Sequence, residues 1–176
     1  MTQLRLSKSL TSWDIFIKTK PITKPINISY RLCQTEDLDQ LLAIEAAAHT
    51  HPWSKQQLTA SLNDANTSTT LILLNNDIVG YVCCLSAIEQ ADILNICITP
   101  KHQGQGLGQQ LLRHLCEQLR QQGVEQLFLE VRESNHTAIR FYQQMGFAQI
   151  DIRKKYYSNG DDAKIMLFYL KTELRP

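Results

Sequence analysis

The run Gln103-Gly104-Gln105-Gly106-Leu107-Gly108 sets three glycines within five positions, directly ahead of a stretch whose apolar residues recur at helical spacing. Glycines at a helix start let backbone N–H groups come close to a phosphate, and the positive end of the helix dipole adds attraction for the anion. A pyrophosphate is the natural ligand of such a loop. The spacing alone leaves a second reading open, because glycines at a strand-to-helix junction also serve as plain turns. The absence of Gly-Lys-Ser/Thr excludes a P-loop. Glu130 lies near the distance of a ribose-binding acid, but the hairpin ahead of the loop and the lack of further βα units argue against a dinucleotide fold.

Two side chains offer proton transfer. Glu130 is the one charged residue in Leu127-Phe128-Leu129-Glu130-Val131, and apolar surroundings would make it a stronger proton acceptor, directly or through water. The alternative is a strand-end carboxylate facing solvent. Tyr142 follows Phe141 in a helical pattern, so its phenol is either a proton donor or a core aromatic. Tyr156 and Tyr157, in a polar loop before Ser158-Asn159-Gly160-Asp161, are candidates with Trp53 for the wall around a bound peptide, or else ordinary strand-end residues. His49 and His51 are the metal-ligating types nearest to one another, but no further ligand cluster accompanies them in the sequence. A loop role is expected for that pair, and no metal.

The elements that must position these groups follow from the apolar periodicity. A strand is expected over Ile28 to Cys33, then a helix capped near Thr35 and running to about Ala48. Ser54 with Gln57 three residues on forms a capping-box pattern for a second helix through about Leu62. The β-rich runs Thr69 to Leu74 and Ile78 to Leu85 flank Asn75-Asn76-Asp77 and read as a hairpin, and a third run covers Ile93 to Thr99. Leu107, Leu111, Leu112, Leu115, Cys116 and Leu119 mark one face of the clearest helix, which Gly123 should end. Leu127 to Val131 reads as a strand, Ala138 to Met145 as a helix closed by Gly146, and Phe147 to Ile152 and Lys164 to Leu170 as two more strands. The order predicts a mixed α/β (α+β) domain on a largely antiparallel sheet.

Composition bounds the function. With 176 residues, 43% of them hydrophobic, the chain suits one globular domain, and a net charge of +1 announces neither a nucleic-acid nor a membrane partner. Residues 1–26 carry Arg5, Lys8, Lys18, Lys20 and Lys24 against Asp14, which makes them a basic extension, expected to be poorly ordered, ahead of a domain over 27–176. No secretory pattern and no run of roughly 20 apolar residues is present, so a cytoplasmic location is expected. The five cysteines lack CxxC spacing and sit in apolar runs, as reduced core thiols do.

The glycine run is similar to the Gln/Arg-x-x-Gly-x-Gly/Ala pattern of the GNAT family of N-acetyltransferases. Ala48-His49-Thr50-His51-Pro52-Trp53-Ser54, Asn95-Ile96-Cys97-Ile98, Leu129-Glu130-Val131-Arg132-Glu133-Ser134-Asn135 and Arg153-Lys154-Lys155-Tyr156-Tyr157 more specifically resemble the RimI-type ribosomal-protein-alanine N-acetyltransferases within it. The resemblance covers about residues 28 to 170. It implies a GNAT-like, mostly antiparallel central sheet flanked by helices, acetyl-CoA as acetyl donor, and a protein N-terminus, that of a small-subunit ribosomal protein, as acceptor. By the same resemblance the backbone of Ile96, Cys97 and Ile98 receives the pantetheine arm and polarises the thioester carbonyl, and the amides from Gln103, Gly104 and Gln105 through Gly106, Leu107, Gly108 and Gln109 hold the pyrophosphate. Asn135 contacts the cofactor, Glu130 accepts the proton, and Tyr142 donates one to the departing thiolate. Gly104 and Gln109 depart from the pattern by lacking the arginine or other basic residue common there, so backbone amides must carry more of the phosphate binding. An α-amine near pKa ~8 costs about 1.4 kcal/mol to deprotonate at pH 7, against about 4.6 for a lysine near ~10.4, so a modest base suffices for an N-terminus. The competing readings are the same fold acting on a small-molecule amine or internal lysine, and a non-catalytic acyl-CoA-binding module.

Overall fold

The computed structural model describes residues 27–170, and the basic extension expected over residues 1–26 lies outside them. Seven strands form one sheet in the order β1-β2-β3-β4-β5-β7-β6. They are β1 (Ile28–Leu32), β2 (Thr67–Leu74), β3 (Asp77–Ala87), β4 (Gln90–Ile98), β5 (Gln126–Arg132), β6 (Ala148–Arg153) and β7 (Ala163–Tyr169). The helices are α1 (Leu38–Ala48), α2 (Lys55–Asn63), α3 (Leu107–Gln121) and α4 (His136–Gln144). Every neighbouring pair is antiparallel except β4 with β5.

Local chemistry explains most boundaries. Ser54 accepts from the Gln57 amide while the Gln57 side chain accepts from the Ser54 amide, closing the expected capping box of α2. Asn75 and Asn76 both take positive φ, at 52° and 74°, which lets a tight turn join β2 to β3 without splaying them. The β3–β4 hairpin extends further than the apolar runs suggest. Its pairing continues to Ala87 with Gln90, through the small and polar residues Ser86, Ala87, Gln90 and Ala91, which lie outside the β-rich runs.

The sheet separates two apolar layers. α3 and α4 cover one face, where Leu111, Leu112, Leu115 and Leu119 of α3 pack with Leu127, Leu129 and Val131 of β5. α1 and α2 cover the other, through Leu38, Leu41, Ile44 and Leu58 against Leu71, Tyr81 and Cys97. No helix among the described residues is long and apolar enough to cross a membrane.

One irregularity positions the site. β4 pairs with β5 only from Gln90 to Ile93, against Gln126 to Leu129, although β4 continues to Ile98 and β5 to Arg132. Cys83 faces Asn95 and Cys84 faces Ile93 across the β3–β4 ladder, so Leu94 is an extra residue in β4. A bulge of this kind bends its strand. β4 therefore parts from β5 where the bulge falls, and its last residues keep β3 on one side while the other edge has no strand partner.

Gly80 keeps that end of β4 in place. A Cβ there would lie 2.4 Å from the Cys97 carbonyl oxygen, on backbone that cannot swing aside, and 2.5 Å from the Ile98 side chain at Cδ1. Gly80→Ala is expected to lower folding stability by about 1–3 kcal/mol, read from the urea midpoint. An unchanged midpoint would mean that β4 has slack at this point.

Candidate active site

The parting of β4 from β5 opens a cleft of about 520 Å³ between the end of β4, the glycine loop and the N-termini of α3 and α4. Ile96, Cys97 and Ile98 line it from β4. Gln103, Gly104, Gly106, Leu107, Gly108 and Gln109 line it from the loop and α3, and Asn135 and Tyr142 from α4 and its cap. Of the residues expected at a cofactor, Gln105 alone lies off this wall, its side-chain amide donating to the Lys101 carbonyl at 3.1 Å.

The loop is built to present backbone. Gln103 donates through Nε2 to the Ile98 carbonyl at 2.8 Å, fastening the loop to the end of β4. Gly104 and Gly106 take φ of 72° and 78°, a conformation that favours glycine, so the basic residue absent at Gly104 is replaced by a turn that side chains disfavour. Gly106 caps α3 without a side-chain bond, and the first helical bond runs from the Gln110 amide to the Gly106 carbonyl. The amides of Leu107, Gly108 and Gln109 therefore precede the helical ladder, at the positive end of a helix of 15 residues. Such a cradle suits an anion of the pyrophosphate type.

Across the cleft, Asn135 caps α4 by accepting from the Ala138 amide at 3.1 Å, which leaves its side-chain nitrogen to offer a ligand. Tyr142 is buried between Phe141 and Phe147, with ring centroids 5.2 and 5.7 Å away. Burial pushes its phenol well above the usual range, so the proton stays on.

A second, more polar cleft of about 550 Å³ adjoins the first. The two share Ala48, His49 and Asn135. Arg132 lies in its wall with the guanidinium 3.6 Å above the Tyr157 ring, donating to Asn159 at 2.9 Å and Asp161 at 3.1 Å. Hydrogen bonding to Asn159, and then to Arg132, holds the Asp161 carboxyl below its usual range. Of the aromatic residues expected at an acceptor, Tyr157 lines this cleft. Tyr156 and Trp53 do not: Tyr156 sits half-exposed beside Arg153, and Trp53 packs against the α1–α2 core.

Glu130 corrects one premise drawn from the sequence. It does not stand alone among apolar groups, because the side chains of β5 alternate and Glu130 points to the face away from Leu129 and Val131. There it forms an ion pair with Arg153 and a hydrogen bond with Tyr156, and it lines neither cleft.

Glu45, which carried no signal in the sequence reading, is 1% exposed beneath the junction of the clefts. Its Oε1 accepts from the Tyr81 hydroxyl at 2.5 Å and from Asn95 Nδ2 at 2.9 Å, and its Oε2 from the Trp53 amide at 2.7 Å. His49 Nε2 lies 3.4 Å from Oε1. A lone acid in Ile44-Glu45-Ala46-Ala47-Ala48, four residues before a histidine, is the pattern that would have exposed it. His49 thus has companions of ligating type, although not His51: the ligand atoms of Glu45, His49 and Cys97 lie within 4.8 Å of one another. Both Glu45 oxygens also accept hydrogen bonds.

Residues 38–147 match the Acetyltransferase (GNAT) family. The chain is 41% identical over 138 residues to a ribosomal protein bS18-alanine N-acetyltransferase of Haemophilus influenzae, across 76% of this chain and 93% of that protein. The crystal structure of the ribosomal-protein-S18-alanine N-acetyltransferase from Escherichia coli superposes with a TM-score of 0.77 at 32% identity, covering 82% of this chain and 95% of that one. Ard1 from Thermoplasma volcanium, at 22% identity and a TM-score of 0.76 over 81% of this chain and 97% of its own, shares the fold.

Cys97 is the thiol that faces the first cleft, and burial pushes it up to about 12. The thiolate is the nucleophile, so a thiol held this high is inert near neutrality. Peptide mapping after iodoacetamide treatment at neutral pH should find Cys97 unmodified in the folded protein and modified in urea. Labelling of Cys97 in the folded state would return covalent catalysis to consideration.

Proposed function

The chain belongs to the GNAT family of acetyltransferases, and on that premise we infer that it transfers the acetyl group of acetyl-CoA to the N-terminal alanine of a ribosomal protein. The observation that carries this reading is the alignment over 93% of a relative named for that reaction, joined to a second cleft that opens beside the first. A polar trough continuous with the cofactor cleft has room for the first residues of an extended peptide.

In this reading the amides of Leu107, Gly108 and Gln109 hold the pyrophosphate, and Asn135 braces the pantetheine arm from the opposite wall. The free edge of β4 at Ile96, Cys97 and Ile98 pairs with that arm, and a main-chain amide there polarises the thioester carbonyl as a fixed dipole, which needs no reorganisation as charge develops. The acceptor enters along the second cleft past Tyr157. The neutral amine attacks the carbonyl carbon, the C–S bond breaks, and Tyr142 gives its proton to the departing thiolate. Glu130 takes up, through water, a proton that the nitrogen loses, since Arg153 and Tyr156 hold it away from the cleft wall. Attack is direct, without a covalent enzyme intermediate.

Incubation with acetyl-CoA and a peptide bearing a free N-terminal alanine should give one acetyl group on the α-amine by mass spectrometry, and an N-blocked, lysine-containing counterpart should give none. Acetylation of the lysine alone would move the protein to the lysine or small-amine readings. Tyr142→Phe and Glu130→Gln should each lower kcat on the order of 10²-fold with acetyl-CoA affinity little changed in calorimetry. Full turnover in either variant removes that residue from the mechanism.

A further inference from the structure

We propose that His49, oriented by the buried carboxylate of Glu45, is a further catalytic residue of this site, accepting the proton of the incoming ammonium group where the two clefts meet. The proposal rests on the acetyl-transfer reading above and concerns the step before attack, when an amine that is mostly protonated must become neutral.

The attacking nitrogen must reach the thioester from the acceptor side, so it passes the junction shared by both clefts. That junction consists of Ala48, His49 and Asn135, of which His49 alone can accept a proton. Glu130, by contrast, is absent from both walls and occupied by Arg153. A proton acceptor that borders the path of the amine suits the first transfer better than one reached only through water.

Glu45 and His49 stand four residues apart at the end of α1, and the His49 backbone amide closes the helix on the Glu45 carbonyl at 3.0 Å. His49 Nε2 is buried, forms no hydrogen bond among the described residues, and faces Glu45 Oε1 at 3.4 Å. A carboxylate beside one ring nitrogen favours the tautomer with its proton there, leaving Nδ1 as the basic nitrogen. When Nδ1 takes a proton, the imidazolium gains a counter-charge already in position, as a base oriented by a third group requires.

Tyr81, Asn95 and the Trp53 amide give Glu45 three neutral donors, and His49 is its only ion-pair partner among the described residues. A buried carboxylate so arranged has hydrogen bonds without a neutralising charge, and the protonated imidazole supplies one. The remaining titratable groups around the cluster are Tyr81 on β3 and Cys97 on β4, both raised by burial and so neutral. They do not compete for the proton.

The balance is simple. The ammonium gives one proton to Nδ1 and becomes the neutral amine. Attack then forms the C–N bond, Tyr142 protonates the thiolate as the C–S bond breaks, and the second proton of the nitrogen passes through water and Glu130 to restore the Tyr142 phenol. The sum over the cycle is one amide, one free thiol and one proton released to solvent.

His49→Ala and Glu45→Gln in the full chain test this. With the alanine peptide, His49→Ala should lose at least about tenfold in kcat while acetyl-CoA binds as in the wild type by calorimetry, and added imidazole should restore part of the loss. Glu45→Gln should lower kcat without rescue by imidazole. A His49→Ala rate within about twofold of wild type, or a loss that imidazole leaves untouched while the cofactor still binds, would overturn the proposal. A wild-type protein inactive on every N-terminal amine overturns the acceptor assignment together with it, whereas an active wild type beside an equally active His49→Ala overturns this proposal alone.

Discussion

The whole site depends on a mismatch between neighbouring parallel strands. β4 and β5 share a ladder for four residues and then separate, and Leu94 is the extra residue at the separation. Without it the two strands would pair to their ends and the sheet would be continuous. The cost is a row of main-chain groups on β4 that no strand satisfies, which a folded protein tolerates only where water or a ligand takes the place of a neighbour. The vacated width is also what α3 and α4 approach, bringing the glycine loop and Asn135 to opposite walls of one cleft.

Binding and chemistry are divided between backbone and side chains along that cleft. The amides at the start of α3 suit an anion and need no particular side chains beyond glycines that permit the turn. Proton transfer instead needs specific groups, and each has an environment that sets its state. Tyr142 keeps its proton because it is buried between Phe141 and Phe147. Gln103 joins the two walls, since one hydrogen bond ties the glycine loop to the end of β4.

What the sequence made legible was local. Alternating and helical periodicities placed every strand and helix in the right order, the Ser54 box and the Asn75-Asn76 turn formed as their chemistry demanded, and the glycine run lies in the cleft. Non-local pairing was not legible. Nothing in Leu127 to Val131 says that β5 runs parallel to β4, or that β7 inserts between β5 and β6. For the same reason the partner of Glu130 stayed hidden: Arg153 lies 23 residues on, on a strand that reaches it only through the intervening β7. Glu45 was overlooked because an acid within a helical run reads as ordinary helix composition, and only the third dimension places Tyr81, Asn95 and Trp53 around it.

Besides its two outer edges the sheet has inner ones where β4 and β5 part, and they differ in how they meet the risk of joining another chain. The outer edge at β6 carries a register break between Gln149 and Asp151, which disturbs the flat ladder that an incoming strand would need. The outer edge at β1 is only five residues long. The third, the freed half of β4, lies inside the sheet and faces the cleft bordered by the N-termini of α3 and α4. A recess of about 520 Å³ suits a single thin chain carrying amides. The recess is thus a steric filter: it keeps an unpaired strand from seeding aggregation while leaving it available to a narrow amide-bearing ligand.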